Sequence, residues 1–317
     1  MKILIFGGTG FLGRNLVLRL LKDEHMIGMY VRSKSINTEF LTKIHDKVNL
    51  HIGEFMNEYD FEQVVRDYDV VYHLISSTVP GIVNPIQDID ATIKPSLRLL
   101  DACVKMKTKH LIFFSSGGTV YGIPKSIPLN ENDIGQPLSS YGIQKQIMEK
   151  YLLFYQYAFG LPISILRISN PYGRYQRPFS NQGIIANMLG KYLTGKSVEI
   201  FGDGDVIRDY IYVDDVIDAA VKILSYNGTN SIFNIGSGIG YSVNEIINVL
   251  NDVLGNQLQI KRCPSRKLDV PINVLDIQLV KEELNWGPKV ALREGMRKML
   301  KYWNDENKNF DGVISCN

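Results

Sequence analysis

Short apolar runs alternate with amphipathic segments through the first half of the chain. Lys2–Phe6, Met26–Val31, Val48–Ile52 and the stretches 70–75, 110–114 and 162–167 are mainly apolar and do not follow a strict two-residue alternation. Runs of this kind suit strands covered on both faces, and each leaves room for a helix before the next. Strand–helix repetition predicts an α/β protein with a doubly wound parallel sheet and right-handed crossovers. Beyond residue 170 the pattern loosens into shorter elements. Ser242, followed three residues later by Glu245, has the spacing of a capping box and predicts a helix start. The stretch 292–308 predicts a final amphipathic helix packing through Met296, Leu300 and Trp303. The expected organisation is a sheet-bearing region over 1–169 and a smaller C-terminal lobe over 170–317, the two interleaved.

Composition narrows the function classes. With 45% hydrophobic and 21% charged residues in 317, the chain has ordinary globular usage. A net charge of +2 provides no general field for nucleic acid or membrane, so an anionic partner has to be met by a few placed cations. That favours a small anionic ligand. Cys103, Cys263 and Cys316 are far apart and lack metal or thiol-exchange spacing, so we expect reduced thiols, no metal and a cytoplasmic location. The opening MKILIFGG stops at glycines too early for a signal peptide, and no stretch reaches the length of a membrane span.

Candidate chemistry begins directly after the first expected strand. Gly7-Gly8-Thr9-Gly10-Phe11-Leu12-Gly13 places Gly8, Gly10 and Gly13 in a G-x-G-x-x-G pattern between a strand and a helix. Glycines there allow a tight turn, close approach of backbone to a pyrophosphate and close strand–helix packing, while the helix N-terminus offers free N–H groups to the phosphates. Dinucleotide binding is the expectation. An NAD-binding chain carries an acid at the end of the second strand for the adenosine ribose. Here that stretch reads Tyr30-Val31-Arg32-Ser33-Lys34, so Arg32 and Ser33 are the candidate contacts for a 2′-phosphate, and NADP(H) is preferred with NAD(H) as the alternative. Glu54, after the third expected strand, is a candidate acceptor for the adenine amine.

Tyr141 and Lys145, four apart in a helical stretch, share one helix face. A phenol is a poor proton carrier at neutral pH. A neighbouring ammonium and an oxidised nicotinamide both favour the phenolate, so we expect the Tyr141 pKa to be brought toward the working range. The lysine can also position the nicotinamide ribose.

GGTGFLG at 7–13, SSGGTVYG at 115–122, YGIQK at 141–145 and RISNPYG at 167–173 together resemble the extended short-chain dehydrogenase/reductases, nearest to the nucleotide-sugar 4-epimerases, 4,6-dehydratases and 4-keto reductases. The resemblance spans nearly the whole chain. It implies a Rossmann lobe, a smaller nucleotide-sugar lobe and a homodimer built through two Rossmann-lobe helices, around 90–105 and 141–158. It also implies a Ser or Thr beside the catalytic tyrosine at a position where this chain has Gly117, leaving Ser116 and Thr119 as candidate substitutes, with Thr119 favoured. The Asp-Glu pair of the dehydratases is replaced by Gly118 and Thr119, which argues against dehydration. For substrate, the resemblance implies Asn170 and Arg208 at the diphosphate, with Arg266 on the diphosphate and Asp269 on the nucleotide ribose. The expected activity is NADPH-dependent reduction of a dTDP-4-keto-6-deoxyhexose or similar nucleotide keto-sugar, serving surface polysaccharide synthesis. The alternative is a UDP-glucose or UDP-N-acetylglucosamine 4-epimerase with tightly bound NAD, and a more remote one is a cofactor-sensing binding protein.

Overall fold

The computed structural model describes residues 1–35, 38–56, 60–76, 84–178, 182–265 and 270–308. Its frame is a seven-stranded sheet in which every neighbouring pair is parallel. The strands β1 (Lys2–Phe6), β2 (Met26–Val31), β3 (Val48–Ile52), β4 (Val70–His73), β5 (His110–Ser116) and β6 (Ile163–Ile168) come from the first half of the chain. Between them lie α1 (Phe11–Lys22), α2 (Glu39–Thr42), α3 (Phe61–Val65), α4 (Pro85–Asp88), α5 (Lys94–Lys105) and α6 (Ser140–Phe159).

Residues along β1 alternate between two cores, Ile3 and Ile5 facing one and Leu4 and Phe6 the other. Fully apolar strands are thus explained by cover on both faces. The first core is closed by α1 through Leu16, Val17 and Leu20, and the second by α5 and α6 through Leu99, Leu100, Met148 and Leu152. Sheet order is β10-β6-β5-β4-β1-β2-β3, so the chain winds outward in opposite directions from the β1–β4 boundary. A crevice at the carboxyl ends of the strands is the consequence, and it is where open α/β sheets bind ligands.

The second half supplies β7 (Asn170–Tyr172), α7 (Ile184–Leu193), β8 (Val198–Phe201), β9 (Ile207–Tyr212), α8 (Val213–Lys222), β10 (Ile232–Ile235), β11 (Gly240–Ser242), α9 (Val243–Leu254), β12 (Ile260–Cys263), β13 (Ile272–Asn273), α10 (Gln278–Leu284) and α11 (Leu292–Lys308). Of these, β10 returns to the main sheet beside β6, while β7, β9, β11 and β13 form a second small sheet and β8 pairs with β12. No helix among the described residues is long and apolar enough to cross a membrane.

Three strand boundaries differ from the sequence reading. β4 ends at His73 because Leu74 and Ser76 leave the sheet to line the crevice. β5 runs on to Ser116, with Ser115 and Ser116 pairing Arg167 and Ile168, and β6 spans Ile163–Ile168. The apolar pattern stops one step short of both serines because the polar end of β5 faces the site.

Candidate active site

The glycine loop closes the first turn of the crevice. Gly7 takes φ 94°, and a side chain at Gly13 would collide with the Gly7 carbonyl oxygen, so the loop hugs its own helix. Gly8 is buried with Met29 Cε 2.7 Å from where a Cβ would stand, and Gly10 caps α1 without a side-chain hydrogen bond. No acid occupies the first turn of α1. Gly7, Gly10, Phe11, Leu12 and Gly13 line a cleft of about 560 Å³, so the free N–H groups of a helix end face space that a pyrophosphate fits. Arg32 and Ser33 lie exposed just past β2, and Glu54 is half-buried just past β3.

Across the same cleft stand Ser116, Gly118, Thr119, Tyr141, Lys145 and Asn170. Ser139 caps α6 by accepting the Gly142 N–H at 3.1 Å, which fixes the turn carrying Tyr141. Lys145 is 5% exposed. Its Nζ donates to the Phe114 carbonyl at 2.7 Å and sits 4.6 Å over the Phe113 ring and 5.7 Å from the Tyr141 ring centroid. Burial lowers the Lys145 pKa to about 8, opposed by the charge of Glu149. The Glu149 carboxylate accepts from Ser115 at 2.5 Å and from Arg167 at 2.8 Å, a buried polar network behind the lysine. His73, against the same lysine, donates or accepts through Nε2 with Ser96 at 2.8 Å and is held neutral, its pKa pushed down to about 3 by burial and then by the Lys145 charge.

The protein's own groups move Tyr141 in the direction opposite to the one expected with an oxidised nicotinamide beside it. Burial raises its phenol to about 12, and a hydrogen bond with Ser116 only partly offsets this. The ammonium is engaged by the Phe114 carbonyl rather than by the phenol, so desolvation of the phenolate prevails.

A Cβ at Gly117 would stand 2.6 Å from Leu275 Cδ1 and 3.0 Å from the Arg167 carbonyl oxygen, so Leu275 fills the space a serine would need. Ser116 is the hydroxyl that acts on the Tyr141 phenol, holding down part of its rise. Thr119 Oγ1 is buried and, among the described residues, has no hydrogen-bond partner. A Cβ at Gly118 would meet Asn170 at an ordinary 3.6 Å, so glycine there is not forced by packing.

Asn170 donates through Nδ2 to the Asp209 carbonyl at 3.0 Å and lines both this cleft and a neighbouring pocket of about 220 Å³. Arg208, Tyr210, Ile200 and Phe201 line that second pocket. Asn170 therefore stands between the two pockets. The segment 202–204 beyond Phe201 turns, with Gly202 at φ 73° and Gly204 at φ 87°. Arg266 and Asp269 lie outside the described residues. Sequence reasoning passed over Leu74, Ser76, Ser169 and Gln176, which also line the cleft. They sit at ends of strands and in loops, where periodicity carries no signal.

Known proteins share this fold. The chain is similar to a UDP-glucose 4-epimerase from Thermotoga maritima solved with UDP-glucose, at 34% identity over 97% of this chain and 100% of that one, TM-score 0.90. A Thermus thermophilus UDP-glucose 4-epimerase in complex with NAD matches at 27% identity over 96% and 99%, TM-score 0.87. A dTDP-4-dehydro-6-deoxyglucose reductase of Escherichia coli is 30% identical over 94% of this chain and 96% of its own length. The model of the NAD dependent epimerase/dehydratase family matches residues 3–236, and the chain belongs to that family of enzymes.

Proposed function

We propose that this enzyme reduces C4 of a nucleotide-linked 4-keto-6-deoxyhexose with NADPH, the nucleotide being dTDP or a close analogue. The observation that carries the reading is the end of β2, where Arg32 and Ser33 stand exposed in place of the acid that an NAD ribose asks for. Guanidinium is a permanent planar donor suited to a phosphate monoester. The E. coli reductase among the relatives supports the same reaction class. Bound nicotinamide supplies the hydride to C4. Tyr141 gives its Oη proton to the C4 oxygen, and a phenol held neutral by burial suits a donor. Ser116 acts on the phenol, the Lys145 charge 5.7 Å from the Tyr141 ring centroid steadies the phenolate that remains, and the Thr119 hydroxyl is buried beside them without a hydrogen-bond partner among the described residues. Asn170 and Arg208 extend toward the diphosphate, the cleft lying on the cofactor lobe, 1–169, and the second pocket on the sugar-nucleotide lobe, 170–317. In the same reading two copies pair through α5 and α6.

A second reading is favoured by the names of the structural neighbours and by the NAD held in the Thermus enzyme: a UDP-hexose 4-epimerase that keeps its cofactor. Cofactor analysis of the purified protein separates the two. We expect no retained NAD, tighter binding of NADPH than NADH, and loss of reduced-nicotinamide absorbance when a dTDP-4-keto-6-deoxyhexose is added. Retained NAD with interconversion of UDP-glucose and UDP-galactose, and no net redox change, would establish the epimerase instead. Binding of NADPH with no turnover of either substrate class would point to a binding protein.

Because hydrogen bonds to charged groups contribute on the order of 1.5–3 kcal/mol, Arg32→Ala should weaken NADPH by about 10–150-fold and leave NADH nearly unchanged. Equal losses with both cofactors would defeat the assignment.

A further inference from the structure

The glycine loop and the end of β2 are neighbours in the sheet, with Phe6 opposite Tyr30 in register. A dinucleotide whose pyrophosphate sits on the loop lays its adenosine ribose toward the β2 end. A second guanidinium lies beside the glycine loop. Arg14, in the first turn of α1, folds back so that its Nε donates to the Thr9 carbonyl at 2.9 Å, inside the glycine loop. One face of the guanidinium lies 5.1 Å from the ring centroid of Phe40, which belongs to α2, the helix following the loop after β2. Tyr175 lies 5.8 Å away, on a backbone held at φ 66°, a conformation a non-glycine residue keeps only where its surroundings impose it.

Packing alone accounts for the ring contacts but not for the charges. Arg177, on the same loop as Tyr175, is near enough that its charge, after burial, lowers the Arg14 pKa. Glu39 acts on Arg14 in the opposite sense, but its carboxylate is engaged by Lys43 at 2.6 Å. Among the described residues no carboxylate forms an ion pair with Arg14 or Arg177. Two guanidiniums held near each other repel, and an anion between them turns that cost into attraction. With Nε committed to Thr9 and the faces to aromatic rings, the two Nη groups of Arg14 have no hydrogen-bond partner among the described residues and suit an acceptor lying in the guanidinium plane, which is how arginine grips phosphate.

We infer that Arg14, with Arg177 beside it, is a second cationic contact for the 2′-phosphate of NADP(H), approaching from the glycine-loop side while Arg32 approaches from the β2 side. The inference rests on the NADP(H) reading and adds to it a named subsite.

The test is equilibrium titration of NADPH, NADH, 2′-AMP and 5′-AMP into wild type, Arg14→Gln, Arg14→Ala and Arg177→Ala. Arg14→Gln keeps a stem against the rings while removing the charge. We expect both Arg14 variants to weaken NADPH and 2′-AMP by about 10-fold or more, the lower end for a charged hydrogen bond at a half-exposed site, with NADH and 5′-AMP unchanged. Arg177→Ala, at an exposed position, should lose affinity for the same two ligands by a smaller factor. If Arg14→Ala fails to fold, the Gln variant and Arg177→Ala carry the comparison. Unchanged affinities, or equal losses for all four ligands, in variants of a wild type that does prefer NADPH would overturn the Arg14 subsite and leave the NADP(H) reading standing. A wild type without preference for NADPH over NADH would overturn both.

Discussion

At the scale of single residues, the site sets a neutral phenol beside an ammonium that titrates in the working range. Tyr141→Phe removes the proton that reaches the sugar oxygen and leaves the cofactor cradle intact, so turnover should drop by roughly 10²–10⁴-fold with little change in cofactor affinity. Retention of half the activity would remove Tyr141 from this role. Ser116→Ala removes the hydroxyl that acts on the phenol and should slow turnover more than Thr119→Val, because the Thr119 hydroxyl has no hydrogen-bond partner among the described residues. The opposite order would give the helper role to Thr119. A pH profile reports on Lys145. Its pKa, lowered to about 8, means the ammonium is present below that pH and lost above it, so reduction should hold up to about pH 8 and then decline. Lys145→Arg, which stays charged, should remove that alkaline limb even if it slows the reaction. Folding responds with the opposite sign. Between about 8 and the ordinary 10.5 the unfolded chain holds a proton that the folded chain has released, so this residue adds stability as pH rises through that window. The identities of Tyr141 and Lys145 were legible from their spacing. The direction of the Tyr141 shift was not, because it depends on where Lys145 Nζ points, and a main-chain carbonyl at 2.7 Å captures it.

Among the elements, those with a local signature were legible and those made by distant pairing were not. Ser242 and Glu245 announce the start of α9, and both halves of the capping box form: the Glu245 amide donates to Ser242 Oγ at 3.1 Å and the Ser242 amide donates to Glu245 Oε2 at 2.7 Å. Ser242→Ala should lower stability by about 1 kcal/mol, read as a drop in the thermal midpoint with unchanged turnover per folded molecule. No loss would mean that water or Glu245 alone satisfies the helix end. The amphipathic reading of α11 likewise matches its burial, with Met296 at 0% and Trp303 at 7% exposure. By contrast, β10 joins the main sheet beside β6 across more than sixty intervening residues, and nothing in Ile232–Ile235 taken locally specifies that partner. Gly117 is a related case. The sequence shows a missing hydroxyl, but the reason, Leu275 reaching across from far along the chain, exists only once the chain is folded. Arg14 belongs here too, since its meaning comes from Phe40, Tyr175 and Arg177 gathering around it.

For the whole molecule, the outer face of α6 poses a solvation problem that the single chain does not solve. Ile143 is 47% exposed, Tyr151 39%, Phe154 53% and Phe159 54%, and Tyr157 near the helix end is 93% exposed. Ile143, Tyr151 and Phe154 fall on one stripe of the helix, the face turned away from the core residues Met148 and Leu152, while Phe159 lies off it at the helix end. An exposed stripe carrying Ile143, Tyr151 and Phe154 has the composition of an interface centre rather than of a free surface. A second copy meets it most simply, because a two-fold axis places the same stripe on both partners and buries each against the other. α5 runs alongside and carries Arg98 and Asp101, charged groups fit for the rim of such a contact. Phe154→Lys puts an ammonium at the middle of the stripe, where pairing would have to desolvate two like charges across the axis. Sedimentation equilibrium should therefore report a dimer for wild type and a monomer for Phe154→Lys, with the far-UV spectrum and cofactor binding of each monomer preserved, since neither core nor cleft contains Phe154. A wild type that sediments as a monomer, or a variant that remains dimeric, would place the contact elsewhere and leave the exposed aromatic stripe to another partner.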